Sequence, residues 1–177
     1  MNERLTRSDW IQHGLRTLAA EGAGALKVGP MASGLGVSRG SFYWHFEDVA
    51  AFRAELLQAW REQATDRVIR RLSERTTPDR LNYLLKGAFS EDRTLDRAVR
   101  SWAAEDAEAA AVVTSVDASR VAYIAKLLTE AGVDAGKALP RANFVYWAYL
   151  GQAAVMDPRH ATIDPSAIDD IGDLFEA

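Results

Sequence analysis

Residues 37–46 read VSRGSFYWHF, and the way its rings are shared between inside and outside decides the fold. Phe42, Tyr43, Trp44 and Phe46 crowd around His45 directly after a small, polar start. Aromatic side chains carry large apolar areas and normally pack inside a protein. A short helix cannot bury every side of itself. At about 100° per residue, with Phe42 at zero, Phe46 lies near about 40° and Arg39 near about 60°. Gly40 falls near about 160° and Trp44 near about 200°, with Ser41 and Tyr43 on the flanks. Phe42 and Phe46 therefore face a core shared with Leu35 and Val37. Tyr43 and Trp44 face out, and Gly40, one turn earlier, leaves room for a close approach.

Working outward, the neighbouring segments also read as helices. Trp10/Ile11, Gly14/Leu15 and Leu18/Ala19 recur every four residues and give an apolar stripe from Ser8 to Glu21. Gly22 and Gly24 stop that helix. A short second helix is expected from Gly29 to Leu35, with Pro30 in its first turn, and Gly36 breaks it. Ser38 stands at the N-cap of the third helix, which is expected to end near Phe46. Two short helices around a glycine turn, braced by a preceding helix, make a helix-turn-helix.

From Asp48, an N-cap, a long fourth helix is expected, with Val49, Phe52, Leu56, Trp60, Val68 and Leu72 along one stripe. Thr76-Thr77-Pro78 marks a break. Further helices are expected over Asp79–Ser90, Thr94–Ala107, Ala109–Ala131, Ala138–Met156 and Ser166–Phe175, parted by polar or glycine turns at 91, 132 and 157. No strand pattern or internal repeat stands out. The expected class is all-α: a three-helix N-terminal domain over residues 1–47 and a helical C-terminal domain over 48–177.

The bulk composition bounds the function. The chain has 177 residues, 48% hydrophobic and 26% charged, ordinary values for a globular protein. It has no cysteine, which excludes disulfides, thiolate metal sites and cysteine nucleophiles. No apolar run approaches the roughly 20 residues that span a bilayer. The charged start MNERLTRSDW lacks a signal peptide's apolar core, so a cytoplasmic protein is the simplest expectation. The net charge of -4 argues against a polyanionic partner, but its distribution does not. Arg4, Arg7, Arg16, Lys27 and Arg39 outnumber Glu3, Asp9 and Glu21 up to Phe46, so a polyanion would approach that end.

A helix-turn-helix places its second short helix in the DNA major groove. There Arg39 is in reach of a guanine edge and Ser41 of a base. Tyr43 and His45 can donate to phosphate oxygens, and Trp44 can pack on a thymine methyl or a sugar. Lys27 and the helix start add backbone contacts. On helical spacing alone, the same aromatic cluster also fits an inter-helix core or a protein-partner surface.

The stretch MASGLGVSRGSFYWHFEDVAAF resembles the DNA-binding domain of the tetracycline-repressor (TetR) family of bacterial transcriptional regulators, over Leu5 to Leu57. It carries that family's alanine, Gly-Val-Ser, then aromatic, tyrosine, aromatic, histidine and phenylalanine. The resemblance implies a homodimer on palindromic double-stranded DNA. It also implies a C-terminal domain that binds a small-molecule effector and dimerises through its last two long helices. Carried over by position, Ser38, Arg39, Gly40 and Ser41 form the base-reading turn. Tyr43, Trp44 and His45 form the phosphate- and groove-contacting part. Three departures imply fewer phosphate contacts: Val49 where a lysine is usual, Gly29-Pro30 where polar or basic residues are common, and Lys27 in place of a hydroxyl cap.

Past Trp60 the resemblance is one of length and helix pattern. Phe89, Trp102, Tyr123, Leu127, Phe144 and Trp147 are candidate linings of an effector pocket, with Glu105, Asp106 and Asn143 to orient the ligand. Each aromatic fits a plain core position as well. The segment from Arg141 to Met156 is apolar on nearly all sides and is the expected dimer seam. Tyr146, Tyr149, Leu150, Gly151 and Ala154 meet Ile168, Ile171, Leu174 and Phe175 of the last helix in a four-helix interface across a two-fold axis.

The expected function is a ligand-responsive repressor with no catalytic residue, metal or cofactor. His13, His45 and His160 do not show metal-ligand spacing, and no nucleophile–base pair is visible. The alternative is an all-α ligand-binding or protein-interaction module with weakened DNA binding, motivated by Val49 and Gly29-Pro30.

Overall fold

A computed structural model describes residues 5–75, 79–90, 92–155, 159–160 and 163–176. Every regular element among them is helical. They are α1 (Arg7–Glu21), α2 (Val28–Gly34), α3 (Arg39–Tyr43), α4 (Val49–Arg61), α5 (Arg67–Ser73), α6 (Arg80–Ser90), α7 (Thr94–Ala103), α8 (Ala107–Glu130), α9 (Ala135–Gly151) and α10 (Pro165–Glu176). The helices gather into two compact units. One comprises Met1–Asp66 with Arg93–Ser115, the other Arg67–Asp92 with Val116–Ala177.

In the first unit α1 starts on a reciprocal cap. The Thr6 hydroxyl accepts the Asp9 amide and the Asp9 carboxylate accepts the Thr6 amide. The Thr6 hydroxyl also donates to that carboxylate at 2.7 Å, and this bond, then the one from the Thr6 amide, holds the Asp9 carboxyl below its usual pKa. The apolar stripe of α1 buries Trp10, Ile11, Leu15 and Leu18 against α4 and α7. Gly14 lets α1 come close to α4, because a Cβ there would stand 2.6 Å from Cζ of Phe52. An ion pair joins Arg7 of α1 to Glu55 of α4. By packing, this unit extends past residue 47 to take in α4, α7 and the start of α8.

The fourth helix is shorter than the apolar stripe predicts. After Arg61 the chain widens into a π-helical turn, Glu62–Asp66, and resumes as α5. Arg61 bridges that turn to Asp66 at 3.2 Å. Apolar periodicity survives one inserted residue, so the stripe alone cannot reveal the interruption.

The second unit packs α5, α6, α9, α10 and the later turns of α8 around Leu72, Leu81, Leu85, Leu128, Ala142, Val145 and Ile168. Gly132, at φ 103°, ends α8 with the Val133 amide donating to the Leu128 carbonyl at 3.0 Å. Asp134 then caps α9 by accepting the Gly136 amide at 2.8 Å, so α9 begins three residues before the apolar run suggests. The expected continuation of α9 to Met156 is cut short: α9 ends at Gly151, a 3-10 turn follows over Gln152–Ala154, and Val155 is extended. Met156 itself and the break at Thr76-Thr77-Pro78 lie outside the described residues.

Candidate nucleic-acid interface

The turn between α2 and α3 needs a residue with positive φ, and Gly36 supplies it at 66°. The Gly36 amide donates to the Ser33 carbonyl and the Val37 amide to that of Ala32, both at 3.0 Å. This pair of hydrogen bonds closes α2 and sets the direction of α3. Ser38 takes the N-cap position with extended backbone, but its side chain makes no capping bond. Its hydroxyl is exposed at the start of α3 rather than spent on the helix. Lys27 stands before α2 in the same way and, having no acceptor, leaves that start uncapped.

Helix α3 is anchored through rings. Phe42 is 1% exposed and meets Trp10 of α1 edge-on at 5.4 Å and Phe52 of α4 at 5.4 Å. Phe46 lies beyond the end of α3, where its amide still bonds the Phe42 carbonyl at 3.0 Å. It packs on Phe42 at 5.1 Å and Phe52 at 4.8 Å, with the Arg7 guanidinium 5.0 Å above its ring. Burying a ring this fully contributes roughly 1.5–3 kcal/mol, and each edge-on pair about 0.5–1.5 kcal/mol more. The small domain thus holds its five-residue helix by a four-ring cluster.

The opposite face is open. Trp44 is 74% and Tyr43 54% exposed, as the helical spacing predicts. Arg39 and Gly40 are exposed beside them, and Ser41 and His45 are half-buried. Gly40 has no neighbour that would clash with an added Cβ, so its backbone is approachable from outside. Next to these residues a cleft of about 510 Å³ is lined by Lys27, Pro30, Arg39, Tyr43, Val49 and Arg53. Arg53 did not emerge from the sequence. Its position one helical turn after Val49 was the available signal.

One chemical feature of this surface is its pairing of outward aromatic faces with cations. Aromatic rings offer flat apolar area, and Arg39 and Lys27 offer charge and N–H donors. A helix of this length presents both to a groove roughly 12 Å wide.

The sequence matches no protein-family model and no curated protein. Solved structures do match. A TetR/AcrR family member superposes at a TM-score of 0.77, with 20% identity, over 96% of this chain and 97% of that one. A candidate TetR-family regulator from Rhodococcus sp. matches at 0.67, with 19% identity and both chains covered in full. A transcriptional regulator from Rhodococcus sp. Rha1 matches at 0.68, with 19% identity, over 97% and 96% of the two chains. This is the TetR fold. It runs through nearly the whole chain, not the helix-turn-helix alone.

Within that fold, the residues expected to line an effector pocket divide. Trp102, Glu105 and Asp106 belong to the first unit, and Phe89, Tyr123, Leu127, Asn143, Phe144 and Trp147 to the second. Trp102 is buried, and Asp106 caps α8 by accepting the Ala109 amide at 2.9 Å. That bond, and one from Trp102, hold the Asp106 carboxyl below its usual pKa. Glu105 is exposed beside it. Tyr123 and Leu127 are core, whereas Phe144 and Trp147 are 60% and 65% exposed. Phe89 is half-buried against Tyr149, with ring centres 6.4 Å apart, and Asn143 is half-buried.

Of the residues expected at the dimer seam, several are turned into this chain's own core. Tyr146 turns inward at 4% exposure, its hydroxyl donating to Asp117 at 2.6 Å, and stacks on Tyr149 at 5.8 Å. Leu150 is half-buried and Ile168 is core. Ile171 and Phe175 are half-buried, and Phe175 lies 6.0 Å from Phe144. The outward stripe of α9 is instead Phe144, Trp147, Ala148 and Gly151, continued by Ala154 and Val155. The side chain of Leu174, like that of Ala153, lies outside those described. A helix apolar on nearly all sides gives no phase to its own burial; here Ala138, Ala142, Val145 and Tyr146 face the core, where Tyr146 also bonds Asp117.

Among the described residues no helix is long and apolar enough to cross a membrane.

Proposed function

We propose that the protein is a homodimeric, DNA-binding transcriptional regulator of the TetR type, a repressor released from a palindromic operator by a small-molecule effector. The observation that carries this reading is α3: Phe42 and Phe46 seal its inner face while Tyr43 and Trp44 stand out beside Arg39 and Lys27. Ser38, Arg39, Gly40 and Ser41 read bases in the major groove, and Lys27, Tyr43, Trp44 and His45 touch phosphate and sugar. Residues 1–47 carry the DNA-reading role, and residues 48–177 carry sensing and dimerisation.

Dimerisation falls to the outward stripe of α9 around Phe144, Trp147 and Gly151, with α10 beside it. An exposed apolar stripe of this kind is what a partner covers. The effector site belongs among the aromatic and polar groups of the second unit, where Arg120 lies 5.7 Å above the Tyr149 ring and Tyr146 bonds Asp117. An effector shifts the DNA equilibrium only by its differential affinity for the two states.

Fluorescence anisotropy with duplexes from the DNA flanking this chain's own gene tests the reading. One duplex is expected to bind in preference to shuffled DNA. Folded protein that binds none of them, or all of them alike, sinks it. Arg39→Ala with Trp44→Ala is expected to remove DNA affinity while leaving dimerisation intact.

A further inference from the structure

The cleft beside α3 has an unusual charge composition. Lys27, Arg39 and Arg53 line it together with Tyr43, and its described lining includes no carboxylate. Pro30 and Val49 supply apolar wall. Three cations around one cleft repel each other unless an anion enters.

Arg53 differs from the other two cations in being half-buried and braced. Its Nη2 donates to the Ala23 carbonyl at 3.4 Å, and its guanidinium carbon lies 5.9 Å from the centre of the Trp102 ring. Its Nε is buried with no acceptor in the structure. A guanidinium held on one side by a carbonyl and a ring loses little freedom when it takes a ligand on the other. Arg53 also lies four residues after Val49 on α4, so the two share a helix face.

We propose that this cleft seats a backbone phosphate of duplex DNA, gripped by Arg53 beside Lys27, and that Arg53 supplies the charge missing at Val49. The inference rests on the DNA-binding reading above and adds a contact to it. A guanidinium offers a phosphate two parallel N–H bonds. Such a contact adds affinity and salt dependence but carries no base preference. The departures at Lys27 and Val49 then leave the phosphate grip of this domain largely undiminished.

The test is anisotropy at several salt concentrations, using a labelled duplex from the DNA flanking this chain's gene and a shuffled duplex. Arg53→Gln is expected to lower the slope of log affinity against log salt by about one. It weakens both duplexes by the same factor, so the preference between them survives. Adding Val49→Lys to Arg53→Gln restores the slope, which a purely structural role for Arg53 does not predict. If Arg53→Gln lowers the melting temperature, the comparison passes to Arg53→Lys, which keeps the charge and should hold the wild-type slope. A slope lost in that variant counts against the contact.

An unchanged slope in folded Arg53→Gln overturns the contact and leaves the DNA reading standing. Absence of DNA binding by the folded wild-type protein overturns both. Titrating a nucleoside monophosphate at constant ionic strength should leave the DNA bound. Displacement at low concentration would mean that the cleft takes a free phosphate ester, which overturns the assignment to DNA.

Discussion

Two helices of this protein, α3 and α9, each hold aromatic rings out to solvent, and their surroundings differ. Around Tyr43 and Trp44 stand Arg39, Lys27, Ser38 and Gly40, and a cleft lined by cations. Phe144 and Trp147 share the outward side of α9 with Ala148 and Gly151, all exposed. Rings among cations and hydroxyls suit a polyanion with flat bases. Rings among small apolar residues suit another protein surface, where close helix approach and burial work together. The lesson is that an exposed aromatic acquires its meaning from its neighbours.

The sharpest way to break the comparison is to remove the buried anchor behind one surface. Phe42→Ala empties the four-ring cluster and is expected to cost about 3–5 kcal/mol. Thermal melting should show the loss, and DNA binding should vanish with it. If DNA binding persists at full strength, α3 is not held by that cluster.

Next comes the surface of α9. Trp147→Glu places a charge in the proposed seam and is expected to convert dimer to monomer in sedimentation analysis. An unchanged dimer would move the seam elsewhere. A smaller effect is expected on the α3 side, where Arg39→Ala should cost about 1–3 kcal/mol of operator affinity and relax specificity at one base pair. Equal loss on shuffled DNA would demote Arg39 to a phosphate contact. The melting temperature should stay put, since Arg39 is exposed.

The smallest effect concerns His13 on α1. Burial, then the charge of Arg16, lowers its pKa, and Glu21 opposes them. A histidine depressed in the folded state accepts its proton less readily than in the unfolded chain. Stability is therefore retained above the ordinary histidine value of about 6.5 and declines as pH falls below it. Its imidazole also lies against Gly34 of α2, where an added Cβ would stand 3.0 Å from Cε1 and Nε2. Melting between about pH 7.5 and about pH 5.5 should show a decline that His13→Gln reduces. An identical pH profile in the variant would remove His13 from this account.

The legibility of the two halves follows the same division. In α1 to α3, local rules sufficed: the stripe of α1, the breaks at Gly22 and Gly36, and the angular separation of Phe42 from Trp44 all appear in the structure. Boundaries moved where caps decided them, as Thr6 and Asp134 did by starting helices ahead of the apolar pattern. The π-helical turn at Glu62–Asp66 left no trace in the periodicity. On α9 the composition marked an apolar helix but could not orient it. Tyr146 and Phe144 exchange the roles their types suggest, because a helix apolar all round takes its phase from what it meets.

What the sequence by itself determined is the helical class, the helix-turn-helix, and which face of α3 is turned out. These depend on residues within one or two turns of each other, where the helical period and the φ freedom of glycine are enough. Tertiary structure alone decided the placing of Arg53 in a cleft with Lys27 and Arg39 and the outward turn of Phe144 and Trp147. Each depends on partners far along the chain, Ala23 and Trp102 for Arg53, and Asp117 with the core around Leu72, Leu81 and Leu128 for α9. No local periodicity encodes such pairs, because their geometry exists only once separate helices have packed.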